Sequence, residues 1–285
     1  MTALTIQDGT RRWVDEKAIS LCPTSLTSDY RQFLTWVDRA PYTRLEEGRD
    51  LIGWVLNQEP PKAARRVAML TKAFYRWAAA EDVGLVAVNP VASFKFPKAP
   101  QNDHEVTIIP KDQEPFVMAA LTRRERRGPL WHHWAMVQLQ LGLRTGEVRA
   151  IRADDIRGER LRVHQNFTLT HGLKTSTKTN KPRWVPLNSL ARGILEELTP
   201  DADGFLLPWN RSTFQSFFHD RMQELHNLGL ITRVFRPYDL RHTAITRWLE
   251  AGVSVATAAS WAGNTPEVIW RHYAGADDTT PLPVI

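Results

Sequence analysis

The sequence predicts a mainly α-helical protein with one small β-sheet, divided into two domains. Three observations predict it. Apolar residues recur at helical spacing through most of the chain, two short runs of strand composition flank one polar turn, and a proline-rich stretch separates an N-terminal from a C-terminal part. The 285 residues are enough for a core in each.

In the N-terminal part, TSDYRQFLTWVD (27–38), RLEEGRDLIGWVLNQ (44–58) and PKAARRVAMLTKAFYRWAAAEDVG (61–84) read as three helices. Thr27 or Ser28 is expected to cap the first, Pro61 to open the third in its first turn, and Gly84 to close it. On the third, Ala63, Val67, Leu70, Phe74 and Trp77 share one arc at about 100° per residue, the expected core face. Lys62, Arg65, Arg66, Lys72 and Arg76 share another arc with Met69, and no acid lies between residues 61 and 80. Surface faces ordinarily mix signs to limit self-repulsion, so a stripe of bases without acids is best explained by phosphates. Residues 88–110, VNPVASFKFPKAPQNDHEVTIIP, hold four prolines and little periodicity, and read as the connection.

The C-terminal part opens with an expected helix over 111–122 and a longer one from about Leu130 through LGLRTGEVRAI. RLRVHQNFTL (160–169) and KPRWVPL (181–187) read as strands of a hairpin or small sheet, with turn-forming Gly172 and Asn180 between them. Five helices follow: NSLARGILEEL, STFQSFFHDRMQELHNLG, YDLRHTAITRWLEAG, SVATAASWAG and TPEVIWRHYAG. The last has Thr265 at its N-cap, Pro266 at its first position and Glu267 in its first turn. Ile269 and Trp270 are expected to pack its core side.

A formal charge of +6 and a pI near 9.6 favour a polyanionic partner. Cys22 is the only cysteine, which excludes a disulfide framework or thiolate cluster and suits a reducing, cytoplasmic setting. No secretory leader is seen at the N-terminus, and no apolar run approaches the ~20 residues of a membrane span.

Four ordered blocks carry a resemblance. LGLRTGEVRAIRADDI centres on Arg144 with Glu147 behind it. TKTNKPRWVPL places Lys178 eight residues before Pro186. YDLRHTAITRWLEAG holds Arg241, and AGNTPEVIWRHYAG ends its motif in Tyr273; Asn264 follows Arg241 by 23 residues and precedes Tyr273 by nine. The chain thus resembles the tyrosine recombinases, the family of phage integrases and chromosome-dimer-resolving recombinases.

The resemblance implies a helical core-binding (SAM-like) DNA-binding domain over 1–97, a linker over 98–110 and a catalytic domain over 111–285. It implies a site-specific recombinase of a phage or mobile element that joins Tyr273 to DNA as a 3′-phosphotyrosine. Arg144 and Arg241 would hold the phosphate's non-bridging oxygens, Glu147 would support them, and Lys178 would protonate the leaving 5′ oxygen. Lys174 and Lys181 are rivals for that last role. No cofactor and no metal are implied. The partners are double-stranded DNA at a specific site and a homotetramer on two duplexes, with a C-shaped clamp and the tail DDTTPLPVI docked on a neighbour. The stretch before the first of these helices leaves no room for a separate arm-binding domain.

Two arginines suit this chemistry because a guanidinium stays ionised at any working pH and binds phosphate oxygens bidentately where charge develops. A phenol has an ordinary pKa of about 10, so the nucleophile needs a proton acceptor. Two positions depart from the family pattern. Tyr238 stands where a histidine is usual, and Asn264 where histidine or tryptophan is usual. Either can still donate a hydrogen bond to a phosphate oxygen, but neither is a good base. His242 and His272 adjoin motif residues, yet helical neighbours point about 100° apart, so neither is expected to replace the missing histidine. Lower activity or an altered pH dependence is the expected consequence. The rival reading is a degenerate recombinase-fold protein that binds DNA without cutting it.

Overall fold

The computed structural model describes residues 4–21, 25–97, 106–122, 130–168, 172–174 and 181–273, and the chain divides into two compact units, Met1–Asn102 and Asp103–Ile285. Among the described residues helix dominates both, and the sheets are small.

The first unit holds α1 (Ile6–Ala18), α2 (Arg31–Arg39), α3 (Gly48–Leu56) and α4 (Pro61–Ala78). Helix α1 is absent from the sequence expectation. Thr5 and Asp8 form a reciprocal capping box at its start, and Ile6, Trp13 and Val14 are buried. The Trp13 ring lies 5.7 Å from Phe33 and 6.0 Å from Phe74, fastening α1 to α2 and α4. A π-helical turn, Leu26–Tyr30, runs directly into α2, so Thr27 and Ser28 lie inside a turn and are not its cap. Pro61 does open α4. The helix ends at Ala78, well before Gly84, which takes a left-handed φ of +59° in the turn beyond.

The buried face of α4 comprises Ala64, Val67, Ala68, Thr71, Phe74, Tyr75 and Ala78. It is rotated about one residue from the expected face, leaving Ala63, Leu70 and Trp77 at its margin. The small residues Ala64, Ala68 and Thr71 admit close helix approach, and packing selects them over the bulkier apolar neighbours. Residues after α4 fold back on this unit: Val91 is buried, and Phe94 and Phe96 pack against the core. The connection expected over 88–110 is therefore structured at both edges, since Ile109 is buried in the second core and donates its N–H to Thr243 Oγ1 at 2.8 Å.

The second unit contains α5 (Glu114–Leu121), α6 (Trp131–Leu141) and α7 (Thr145–Arg149). The single long helix expected here is broken at Gly142, whose φ of +57° ends α6. Strands β1 (Ile156–Arg157), β2 (Arg160–Val163) and β5 (Arg183–Pro186) form an antiparallel sheet in the order β1-β2-β5, with Leu161 opposite Val185. β3 (Asn166–Thr168) pairs with β4 (Gly172–Lys174) in a separate hairpin, so RLRVHQNFTL supplies strands to two sheets. Helices α8 (Ser189–Glu197), α9 (Arg211–Asn227), α10 (Pro237–Glu250), α11 (Val255–Ala262) and α12 (Pro266–Tyr273) complete the unit. Its core is aromatic at the α6–α9 contact, where Trp134 stacks on Phe214 with centroids 5.0 Å apart. Burying each such ring contributes about 1.5–3 kcal/mol.

Candidate active site

Arg144 is placed by the break at Gly142. The chain leaves α6, and Arg144 becomes the extended N-cap residue of α7 while the Glu147 carboxylate accepts its backbone N–H at 2.9 Å. The Arg144 guanidinium donates to Glu147 Oε1 (2.9 Å), to the Gly263 carbonyl (2.8 Å) and to Asn264 Oδ1 (2.9 Å). Arg241, on α10, is fully buried. It donates to the carbonyls of Gly142 (2.6 Å) and Ala262 (2.8 Å) and to Asn264 Oδ1 (3.3 Å). Its Nε is buried with no hydrogen-bond partner among the described residues.

The turn between α11 and α12 thus organises both arginines. Gly263 takes a left-handed φ of +64° there, and a Cβ at that position would lie 2.9 Å from Arg183 Nη1. Arg183, on β5, was not anticipated from sequence. It grips Glu147 bidentately at 3.0 and 2.7 Å and donates Nε–H to the Trp261 carbonyl at 2.7 Å. Burial would raise the Glu147 pKa, but the Arg183 hydrogen bonds and charge, with Arg144 and Arg241 behind them, hold it down at about 2. Burial, reinforced by Arg144, lowers the Arg241 pKa to about 10, which leaves it cationic at neutral pH. Three guanidinium groups surround one carboxylate, so the cluster keeps an excess of positive charge for an anion.

Tyr273 ends α12 against Ile245, Ala258, Ala259, Ala262 and Ile269. Ile269 is buried as expected, but Trp270 is 67% exposed and is no part of that core. Helix α12 presents Ile269 and Tyr273, one turn apart, on the same face, which turns Trp270 outward. The phenol oxygen lies 2.7 Å from Nδ1 of His242. Burial pushes the phenol up to about 12, partly opposed by Arg241 and Arg144. Burial lowers the His242 pKa to about 4, with Arg241, Arg236 and His272 adding to the effect against Asp239. His242, which was not expected to replace the missing histidine, is thus in hydrogen-bonding contact with Tyr273. Its side chain does diverge from that of Arg241, and the divergence directs it to Tyr273. Tyr238 packs edge-on against the imidazole, with ring centroids 4.9 Å apart. It also lines a cleft of about 360 Å³ with Thr145, Arg211, Gln215, His219 and Arg236.

Lys178 and the tail DDTTPLPVI lie outside the described residues. Among the described residues, no three His, Cys, Asp or Glu side chains converge to hold a metal ion, and no helix is long and apolar enough to cross a membrane. The basic stripe lies on α4 in the first unit and is partly engaged. Arg65 and Lys72 donate to the carbonyls of Pro97 (2.8 Å) and Phe94 (2.7 Å), and Arg66 pairs with Asp29 at 2.6 Å. Lys62 and Arg76 are exposed.

A helical unit with small sheets thus holds two arginines against one turn and carries a tyrosine on its last described helix, and its family match places it in the tyrosine-recombinase class. Residues 109–279, more than half of the chain, match the model of the phage integrase family, and the chain belongs to that family. No curated protein sequence matches it. Among solved structures it is similar to the Tn1549 transposon integrase in complex with circular intermediate DNA, with 15% identity, a TM-score of 0.78 and 96% of each chain covered. A lambda integrase dimer bound to a COC′ core site matches with 15% identity and a TM-score of 0.71 over 99% of each chain. A lambda integrase tetramer bound to a Holliday junction matches with 16% identity and a TM-score of 0.68, over 92% of this chain and 78% of that one. At these identities the likeness is one of fold.

Proposed function

We propose that the chain is a site-specific DNA recombinase that cuts and rejoins strands through a 3′-phosphotyrosine on Tyr273, as the integrase of a phage or other mobile element. The observation that carries this reading is the convergence of Arg144 and Arg241 on Asn264 Oδ1, at 2.9 and 3.3 Å, in the unit whose α12 carries Tyr273. Two guanidinium groups held by backbone carbonyls need no reorganisation to stabilise charge developing on a phosphorane. Asn264 meets them with its carbonyl oxygen, so its amide N–H groups remain for a phosphate oxygen. Tyr273 Oη attacks phosphorus, the 5′ oxygen departs with a proton from Lys178, and the phosphotyrosine conserves the bond energy. A second 5′-hydroxyl then religates the strand without a cofactor.

In this reading the first unit is the core-binding domain, and the stripe on α4 contacts the DNA backbone. The Tn1549 likeness supports a mobile-element role, and the lambda tetramer supports a four-protomer assembly on two duplexes. The test is a nicked suicide duplex built on a site selected from a randomised DNA pool. The wild-type chain should form an SDS-resistant adduct on it. Tyr273→Phe should bind the site equally well and form none, because only the attacking oxygen is removed. Binding without any wild-type adduct would instead favour a DNA-binding protein that has lost cleavage.

A further inference from the structure

The nucleophile has a specific partner that the motif pattern does not assign. Helix α10 carries Arg241 and His242 in succession, and their side chains leave it in different directions. Arg241 enters the cluster beneath the turn at 262–264, while His242 meets α12, where its Nδ1 lies 2.7 Å from the Tyr273 oxygen. The two rings sit 5.5 Å apart, and the Tyr238 ring packs edge-on against the imidazole at 4.9 Å. The charged and titratable groups facing His242 are Arg236, Tyr238, Asp239 and Arg241 on α10, with His272 and Tyr273 on α12. Asp239, which favours the charged ring, is itself paired with Arg236 at 3.0 Å, and burial outweighs it.

We propose that His242 is the proton acceptor that activates Tyr273, filling the role left open by Tyr238. The proposal rests on the strand-cleavage reading above. Burial and these cations keep the ring neutral before DNA arrives. A neutral imidazole with an unprotonated Nδ1 can only accept from the phenol. Tyr273 is then the donor, and its oxygen keeps its lone pairs for phosphorus.

The step balances as follows. The Oη–P bond forms and the P–O5′ bond breaks, with the electron pair leaving on O5′. The phenol proton passes to Nδ1, and O5′ takes a proton from an ammonium group, the role given above to Lys178. His242 ends the step as an imidazolium. Religation returns that proton to Tyr273 as the phosphotyrosine bond breaks. The negative charge that builds on the phosphorane raises the proton affinity of the adjacent imidazole when the transfer occurs. A ring that is neutral at rest can therefore act as base in the loaded site.

Single-turnover adduct formation tests this on the suicide duplex and on the same duplex with a 5′-bridging phosphorothiolate at the scissile position, as mapped by the wild-type adduct. The sulfur leaving group needs no acid. Lys178→Ala should therefore be rescued by it, whereas His242→Ala should stay about 10²–10⁴-fold slow on both substrates. His242→Asn offers an amide oxygen to the phenol but cannot take its proton, and it should remain within about tenfold of the alanine variant. Both variants should gain about tenfold per pH unit as hydroxide takes over, while the wild type stays flat between about pH 6 and 8. Gel shifts on the same duplex check that the variants fold and bind. Wild-type-like rates in His242→Asn, or rescue of His242→Ala by the phosphorothiolate, would overturn the assignment. If the wild type forms no adduct on either duplex, the strand-cleavage reading itself fails, and this proposal with it.

Discussion

Asn264 contributes geometry where the family pattern offers a ring. Its Oδ1 accepts from Arg144 and Arg241 together, and a neutral oxygen does so without cancelling their charge. A hydrogen bond to a charged group contributes about 1.5–3 kcal/mol, so Asn264→Ala should slow adduct formation about 10- to 100-fold while leaving the fold intact. Circular dichroism alongside the adduct assay separates the two effects. Glu147 differs in kind, because its charge is what the cluster folds around. Removing one partner of a buried ion pair costs about 3–5 kcal/mol, and Glu147→Gln should lower the urea midpoint accordingly. Its carboxyl is held down at about 2 against an ordinary 4.5. Its stabilisation is therefore complete above about pH 4.5 and is lost as the pH falls toward 2. The wild-type midpoint should fall through that window, and the glutamine variant should lack this part of the fall. Arg144, Glu147, Arg241 and Tyr273 were legible because each sits in a short local motif. Arg183 was not: its partner is 36 residues away, and an arginine in a strand reads as solvent-facing. The contact of His242 with Tyr273 was not legible, because sequence gives a side chain's direction from its helix but not which helix crosses there.

At the scale of elements, the α11–α12 turn does the positioning. The carbonyls of Ala262 and Gly263 hold Arg241 and Arg144, and the turn depends on the left-handed backbone of Gly263. Gly263→Ala must accept that conformation and press a Cβ to within 2.9 Å of Arg183. Such strain costs about 1–3 kcal/mol, and adduct formation should fall more than the lowered thermal midpoint explains, because both carbonyls move. A lowered midpoint with an unchanged adduct rate would show that the carbonyls do not set the arginines. Gly142 acts in the same way at the end of α6, where a Cβ would meet Trp248 at 2.5 Å. The helix break there stood in the sequence as LGLR, a glycine two residues before the motif arginine, but apolar periodicity on both sides hid it. Helix α1 escaped for the opposite reason. Its buried positions, Ile6, Gly9, Thr10, Trp13 and Val14, recur at helical spacing, but Gly9 and Thr10 supply no large apolar side chain, so the apolar pattern is thin and only Thr5 and Asp8 mark its start.

At the scale of the molecule, the basic stripe and the arginine cluster belong to different units. Each unit has its own apolar core, and every described residue of the arginine–tyrosine cluster belongs to the second. The stripe on α4 belongs to the first, and its members are not equivalent. Arg65 and Lys72 hold the carbonyls of Pro97 and Phe94, and both approach the Phe96 ring within 6 Å of its centroid, at 5.5 and 5.7 Å. Arg66 is paired with Asp29. Removing Arg65 or Lys72 should therefore first loosen the segment that folds back over α4. Lys62 and Arg76 form no ion pair among the described residues, and in the proposed reading they are the members that meet phosphates. Each phosphate contact contributes about 0.9 to the slope of log binding constant against log salt concentration, so the double variant Lys62→Ala, Arg76→Ala should flatten that slope by about two. The lost affinity should return at low salt, since the duplex keeps its other contacts. An unchanged slope would show that this face of α4 does not meet the DNA backbone, and would leave the nucleophile and its arginines untouched, because they belong to the other unit.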